Sequence, residues 1–433
     1  MIPCDLIFGL RLNICFEKRD GHVISCDLFW LCSVSASNSF HPMKQWLSIA
    51  EDCAGLGTSS FALQRLVERK YKHALKIKHV YYSEENDSLR ELLAKTFKPK
   101  IIFKYAGQRK FSRLQRRMVR DIDFYVNGFP CQPYSKAGSN EGLKDKKRTS
   151  PMKKGIAFVK RNWPKVFIFE CVKNFTSKTH AKVKNKFVAK LNALRSSSAH
   201  RYHIKEMVLR TDEIGDNVPQ ERERWYCVGL RSDVRPFRRF RFPLQIPVKQ
   251  TGKINALDRL LNLKTKTFKT SGQQPRTHTE KRNWTACKAA FKEEKVFANK
   301  DATLIADLHQ SEAFKHHFLL NACPTVTKTR ASANAFWLVK LIDGKLVRRT
   351  IRTDEYLKVQ AWPTHLAKQL MASDLDEREL REAAGNGFSF NVIERLLEDC
   401  TDLLMEHAKH VAAVEAEIAG DNVIEHEDNI EEL

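Results

Sequence analysis

A cysteine held between two prolines is the first group in this chain that could do chemistry. Gly128-Phe129-Pro130-Cys131-Gln132-Pro133-Tyr134-Ser135 follows directly on the apolar run Phe124-Tyr125-Val126. A strand that ends in a proline-pinned loop presents its thiol at a fixed point, which suits a nucleophile that must be kept near attack distance. A buried structural cysteine beside a proline turn is the alternative that a lone Pro-Cys leaves open. Further on, Phe167-Ile168-Phe169 delivers Glu170 at the end of another apolar run. A carboxyl there has a raised pKa if it is desolvated and could donate a proton at neutral pH, although an ordinary strand-end acid reads the same way. In Gln220-Glu221-Arg222-Glu223-Arg224, strand alternation puts Gln220, Arg222 and Arg224 on one face, where fixed guanidinium donors could meet a carbonyl. A charged edge strand is the plainer reading of that segment.

A second group of residues could hold a cofactor. Cys53-Ala54-Gly55-Leu56-Gly57 lies between a strand-like run and a helical one, so its backbone could approach a ligand where a side chain would clash. Glu84 closes the next strand-like run, a position from which an acid can accept hydrogen bonds from ribose hydroxyls; a solvated strand end is the alternative. No phosphate-binding Gly-x-x-x-x-Gly-Lys-Ser/Thr loop follows the first strand, and Ser60 stands where the third glycine of a dinucleotide fingerprint would fall. An adenosine-bearing cofactor without phosphates fits better.

The elements that would position these groups alternate between strand and helix. Apolar runs at 46–50, 79–82, 101–103, 124–126 and 166–169 are separated by amphipathic stretches such as 61–71 and 88–97, which predicts an α/β fold with a mostly parallel, helix-covered sheet. Two strand-like runs at 202–209 and 225–230, with no helical pattern between them, predict an antiparallel closing strand. The formal charge of +24 favours a polyanionic partner, nucleic acid before a membrane surface. Basic residues concentrate in three segments: eight without an acid in 100–120, nine against two acids in 141–165, and 18 against five in 231–300, the last with loop-like runs. Residues 411–433 carry eight acidic and no basic residues and read as a frayed helix or a disordered tail. Eleven cysteines without a Cys-x-x-Cys pair argue against a zinc module or a disulfide framework, and the apolar stretch 23–34, interrupted by Asp27, is too short to span a bilayer.

Taken together the octet around Cys131, Glu170-Cys171-Val172, the Gln-x-Arg-x-Arg segment and the Ala54-Gly55-Leu56-Gly57 turn resemble the motifs of the DNA (cytosine-5) methyltransferase family. Arg352 to Pro363 and Gly385-Asn386-Gly387, read as opening the C-terminal helix that contains Val392, resemble two further motifs in the same order. The resemblance implies a Rossmann-like S-adenosyl-L-methionine-dependent catalytic domain at 46–230, after an extension at 1–45 of unassigned role. It also implies a smaller basic target-recognition domain at 231–375, a helix at 376–410 that completes the catalytic domain, and the acidic tail at 411–433. It casts Cys131 as the nucleophile toward carbon 6 of cytosine, Glu170 as the partner of ring nitrogen 3, Arg224 as the contact to the carbonyl at position 2, and Arg222 as a brace. Cys53, Gly55, Leu56, Gly57, Glu84, Gln108, Pro130, Asn386 and Val392 are expected at the cofactor, and Ser135 and Gln220 at the substrate. Three positions depart from the family pattern: Cys53 replaces a phenylalanine, Gln108 an acid, and Cys171 the asparagine that braces the nucleophile loop. Double-stranded DNA is the expected partner of a monomeric protein without metal or membrane, in a nucleus or in a prokaryotic cytoplasm. Phe129-Pro130-Cys131 and the lack of a Cys-Phe-Thr signature set the tRNA-directed branch second, and a non-catalytic DNA-binding paralogue is a further alternative.

Overall fold

The structure is a computed structural model. It describes residues 16–19, 22–25, 46–72, 74–106, 110–135, 138, 140–215, 218–234, 240–246, 256–261, 263, 268, 274–293, 303–310, 317–343 and 345–427. Two compact units, Met1–Met43 and Lys44–Leu433, make up the chain. In the first, β1 (Phe16–Arg19) and β2 (His22–Ser25) pair antiparallel.

The second unit contains a large sheet of seven strands: β3 (Trp46–Asp52), β4 (Lys76–Ser83), β5 (Ile101–Phe103), β6 (Phe124–Asn127), β7 (Val166–Val172), β8 (Tyr202–Arg210) and β9 (Glu223–Arg231). Their order is β5-β4-β3-β6-β7-β9-β8. The first five are parallel and β9 runs antiparallel to both β7 and β8, so the predicted closing strand is present. The central strands read as unbroken apolar runs because helices cover both faces. Phe124, Val126 and Ile168 face a core shared with the helix Thr58–Tyr71 and the C-terminal helix, whereas Tyr125, Phe167 and Phe169 face Phe158 and Phe187 on the other side. β3 and β6 lie side by side with Asp52 opposite Asn127, and β6 and β7 with Asn127 opposite Phe169. The loops that leave these three strands therefore emerge together at one edge of the sheet, at the point where the strand order reverses.

A second, four-stranded antiparallel sheet has the order β11-β10-β12-β13, with β10 at Thr303–Asp307, β11 at His317–Leu320, β12 at Phe336–Ile342 and β13 at Lys345–Thr350. Trp284, Cys287 and Phe291 of the helix His278–Glu293 cover one face, and Leu257, Leu261, Tyr356 and Val359 cover the other. Part of the basic stretch 231–300 is thus helix, whereas its loop-like run 264–274 lies, apart from 268 and 274, outside the described residues. Val234, Phe240, Trp362 and Leu366 belong to the core of the large sheet, so the segments entering and leaving the small sheet pack against the larger one.

Two expectations change at the C-terminal end. Gly385 and Asn386 close the helix Glu377–Asn386, with Gly387 as its cap, and the C-terminal helix starts only at Phe390. The reason is local: Gly387 N–H still bonds back to Ala383 O, and Phe390 N–H turns away to Gln360 O. The C-terminal helix also continues to Glu427, well into the acidic segment. Among the described residues no helix is long and apolar enough to cross a membrane.

Candidate active site

At the shared edge of the large sheet lies a cleft of about 1120 Å³. Cys53, Gly55, Glu84, Pro130, Cys131, Ser135, Glu170, Arg222, Arg224 and Asn386 all line it, although they come from segments more than 300 residues apart.

The turn after β3 runs through the left-handed region at Cys53, Gly55 and Gly57, with φ of 56°, 55° and 71°. A side chain on Gly55 would meet nothing within 4 Å on the protein, so the space it faces is the cleft itself. Glu84 stands at the end of β4 and accepts hydrogen bonds from Gly55 N–H at 2.8 Å and Asn86 N–H at 3.0 Å, which fixes the turn. Burial holds the Glu84 carboxyl above its usual range. Gly57 serves the packing instead, because its Cα sits against Phe97 and Leu93, where a Cβ would lie 2.5 and 2.9 Å from their side chains. Leu56 is buried in the core and, like Gly57, does not line the cleft. These features suit a compact, phosphate-free adenosine ligand: an open backbone turn, a carboxylate beside it and no lysine-bearing phosphate loop.

Cys131 caps a short 3₁₀ turn, Gln132–Tyr134, and Tyr134 N–H bonds back to Cys131 O at 2.9 Å. The thiol is half-buried, and that burial raises its pKa, with Arg224 pulling it back and Glu170 adding to the rise. Glu170, at the end of β7, is raised by desolvation, opposed by Arg224 and Arg222. In the β7–β9 ladder Val172 lies opposite Arg224, so Arg224 leans back along the strand and its Nε reaches Glu170 Oε1 at 3.2 Å. Arg222 is wholly buried, and its guanidinium donates to Val326 O (2.7 Å), Gly385 O (3.4 Å) and Gly387 O (2.6 Å). Desolvation, with the Arg224 charge adding to it, pulls its pKa down to about 9. The brace expected of Arg222 is therefore a clamp on three backbone carbonyls.

Other sequence candidates are placed elsewhere. Gln220 is fully buried, bridges Cys323 and does not line the cleft; its amide has no hydrogen-bond partner among the described residues. Val392 packs in the core one turn into the C-terminal helix, since that helix starts beyond the glycine pair, and it too is absent from the cleft wall. Gln108 lies outside the described residues. Sequence reasoning missed Tyr105 and Phe388, two aromatic residues on the cleft wall, and Glu379 and Glu382, two carboxylates there. It also missed Lys328 and Thr329 of the small-sheet region.

A model of the family described as C-5 cytosine-specific DNA methylase matches residues 47–402. The chain belongs to this family. Members use S-adenosylmethionine to methylate cytosine at carbon 5, and this chain is accordingly a methyltransferase by descent. Type II methyltransferase M.Bsp6I of Bacillus sp. (strain RFL6) is 27% identical over 286 residues, 65% of this chain and 79% of that protein. M1.ScrFI of Lactococcus lactis subsp. cremoris is 31% identical over 176 residues, but the match spans only 41% of its length. M.HhaI of Haemophilus parahaemolyticus is 32% identical over 133 residues, 30% of this chain and 37% of that one. Among solved structures, the methyltransferase EhMeth of Entamoeba histolytica superposes with a TM-score of 0.51 at 16% identity, covering 83% of this chain and 99% of its own, a likeness of fold.

Proposed function

We propose that this protein methylates carbon 5 of cytosine in double-stranded DNA through a covalent adduct of Cys131, on a nucleotide turned out of the helix. The observation that carries the reading is the meeting of Cys131, Glu170 and Arg224 on the wall of the cleft that also holds Gly55 and Glu84. Carbon 5 of cytosine is too poor a nucleophile to take a methyl group unaided, so a nucleophile must first add at carbon 6. Cys131, once its thiol proton has passed to solvent, forms that bond as the thiolate while the Glu170 carboxyl gives its proton to ring nitrogen 3 and Arg224 donates to the carbonyl at position 2, leaving carbon 5 electron-rich. S-adenosylmethionine, held by the Gly55 turn, Glu84 and the Asn386 corner, supplies an electrophilic methyl group when bound. Loss of the carbon 5 proton then restores the double bond and expels the Cys131 thiolate. A stacked base cannot present its face to Sγ, so the nucleotide must leave the duplex.

The charge on the cleft wall supports both ligands. Glu84, Glu85, Glu379 and Glu382 line the cleft, where a cofactor bearing a sulfonium and an ammonium group against one carboxylate would meet acidic side chains, with Glu85 already paired to Lys147 at 3.1 Å and Glu382 to Lys328 at 3.4 Å. Lys144, Lys146, Lys147 and Arg148 line it at the start of the helix Lys146–Asn162. Positive charges in the first turn of a helix oppose its dipole, so this cluster is better explained by a polyanion than by helix stability. The small sheet with its basic connections is the target-recognition region in this reading, with Ser135 at the substrate backbone. The relatives named above as Type II methyltransferases come from bacteria, which supports the cytoplasmic alternative over the nucleus.

Tritiated methyl transfer to duplex DNA and to tRNA, side by side, tests the reading. Wild-type protein should label DNA and be trapped covalently by 5-fluorocytosine in the duplex, and Cys131→Ala should do neither while still binding S-adenosylmethionine. Labelling of tRNA alone would overturn the choice of substrate, and methylation by the alanine variant would overturn the mechanism.

A further inference from the structure

We propose that the segment Asn174–His180, just beyond the catalytic-acid strand, is the bed that fixes the nucleophile loop, and that Asn174 is the positioning residue for Cys131. The inference rests on the reading of Cys131 as the nucleophile and adds a role that neither the motifs nor the family assignment gives. Cys171, directly after Glu170, is fully buried, and a thiol is a weak donor, so the position next to the acid offers the loop no firm bond. Three residues on, Asn174 sits in a 3₁₀ turn and its amide Nδ2–H donates to Tyr134 O at 2.7 Å. The carbonyl can only accept, which decides which end of the amide faces it. Tyr134 N–H is itself tied to Cys131 O by the bond that closes the 3₁₀ turn, so a hold on Tyr134 O is a hold on the backbone that carries the thiol.

Two further contacts belong to the same bed. The Tyr134 ring is fully buried between Phe175, at 4.7 Å between centroids, and His180, at 5.3 Å. His180 also bonds through Nε2 to Asn140 Oδ1 at 2.8 Å, on the far side of the loop. Burial holds the His180 pKa below its usual value, and because Asn140 Oδ1 can only accept, it is Nε2–H that donates this bond. Phe175 is anchored in turn against Trp225, at 5.2 Å, so the bed hangs from the β7–β9 ladder that carries Glu170 and Arg224. Nucleophile, acid and arginine thus share one rigid support, the condition under which a displacement of about 1 Å costs on the order of 100-fold in rate.

Asn174→Ala and Asn174→Asp separate the proposal from a packing role, because aspartate keeps the shape but has no N–H to give. Both variants should lose about 10- to 100-fold in kcat, with S-adenosylmethionine affinity within about twofold of wild type and melting temperature little changed. The rate of covalent trapping by 5-fluorocytosine DNA should fall by the same factor, which would locate the defect at the attack of Cys131. Wild-type trapping rates in the aspartate variant would overturn the proposal. If wild-type protein neither methylates nor traps any nucleic acid, the reading of the reaction fails, and alkylation of Cys131 by iodoacetamide, followed by mass spectrometry, still decides the positioning claim. A changed alkylation rate in both variants would support it, and an unchanged rate would overturn it.

Discussion

Gly55 and Gly57 stand two residues apart with similar positive φ, 55° and 71°, yet alanine should fail at each for a different reason. At Gly57 the new Cβ would lie 2.5 Å from Phe97 Cε2 and 2.9 Å from Leu93 Cδ2. Phe97 cannot give way easily, since its ring is packed 4.8 Å from both Phe61 and His79. The left-handed conformation costs an alanine about 1–2 kcal/mol, the stiffer unfolded chain returns about 0.4–1, and overpacking adds about 1–3. Gly57→Ala should therefore destabilise by about 2–4 kcal/mol. At Gly55 nothing lies within 4 Å, so only the conformational part applies and the loss should be about 1.6 kcal/mol at most. The added methyl would instead point into the cleft, and S-adenosylmethionine affinity should fall at least about tenfold, as expected where backbone must approach a ligand closely. Urea unfolding and calorimetric titration of the two variants read the two effects separately. Equal destabilisation at both positions, with cofactor binding intact in Gly55→Ala, would refute the division of labour within this turn.

Three further outcomes follow from the site. Because burial raises the Cys131 pKa and Arg224 lowers it, iodoacetamide alkylation of Cys131 should accelerate with pH above neutrality, and Arg224→Gln should move that rise to higher pH; no shift, or a shift downward, would remove Arg224 from the thiol's environment. Replacing Lys146 and Lys147 by glutamine should weaken DNA binding at low salt and reduce the slope of log affinity against log salt by about 2, close to one unit per lost phosphate contact, and an unchanged slope would place the phosphates elsewhere. Cys53→Phe should tighten S-adenosylmethionine binding by several-fold if an aromatic face against adenine is missing, at about 1 kcal/mol for such a contact; equal or weaker binding would mean that Tyr105 or Phe388, on the same cleft wall, already provides it.

Much of this site is legible because a parallel sheet turns sequence order into geometry. Once the runs at 46–50, 124–126 and 166–169 are read as parallel strands, the groups that follow them must meet at one edge, and Gly55, Cys131 and Glu170 do. The antiparallel closure brings Arg224 to Glu170 through the register of β7 and β9. Legibility ends where tertiary contacts decide. The bond from Asn174 to Tyr134 O has no sequence signal, since an asparagine in a polar turn is ordinary by itself. The glycine pair near 385 reads as opening a helix because glycines are common at both ends, and only the bond from Gly387 N–H to Ala383 O shows that it closes one. The helix His278–Glu293 is obscured by its own composition: its buried Trp284, Cys287 and Phe291 are set among lysines, arginines and glutamates that dominate the local pattern.

Arg222 ties these observations together. A guanidinium removed from water is costly, and a pKa pulled down to about 9 is the sign of that cost. Of the three carbonyls it serves, that of Val326 lies on the connection between β11 and β12 of the small sheet, and those of Gly385 and Gly387 lie at the corner where the helix Glu377–Asn386 ends. The corner is tight enough that a Cβ on Gly385 would stand 2.6 Å from the Thr327 backbone, so no longer side chain could bring its own donor there. One arginine on the strand approach to β9 thus holds the β11–β12 connection of the small sheet and the Gly385–Gly387 corner close to Arg224 and Glu170, the first two residues away in sequence and the second across one ladder in space. The cost of burying that charge is offset by joining three segments, spread over more than 150 residues of chain, at the wall where the proposed chemistry takes place.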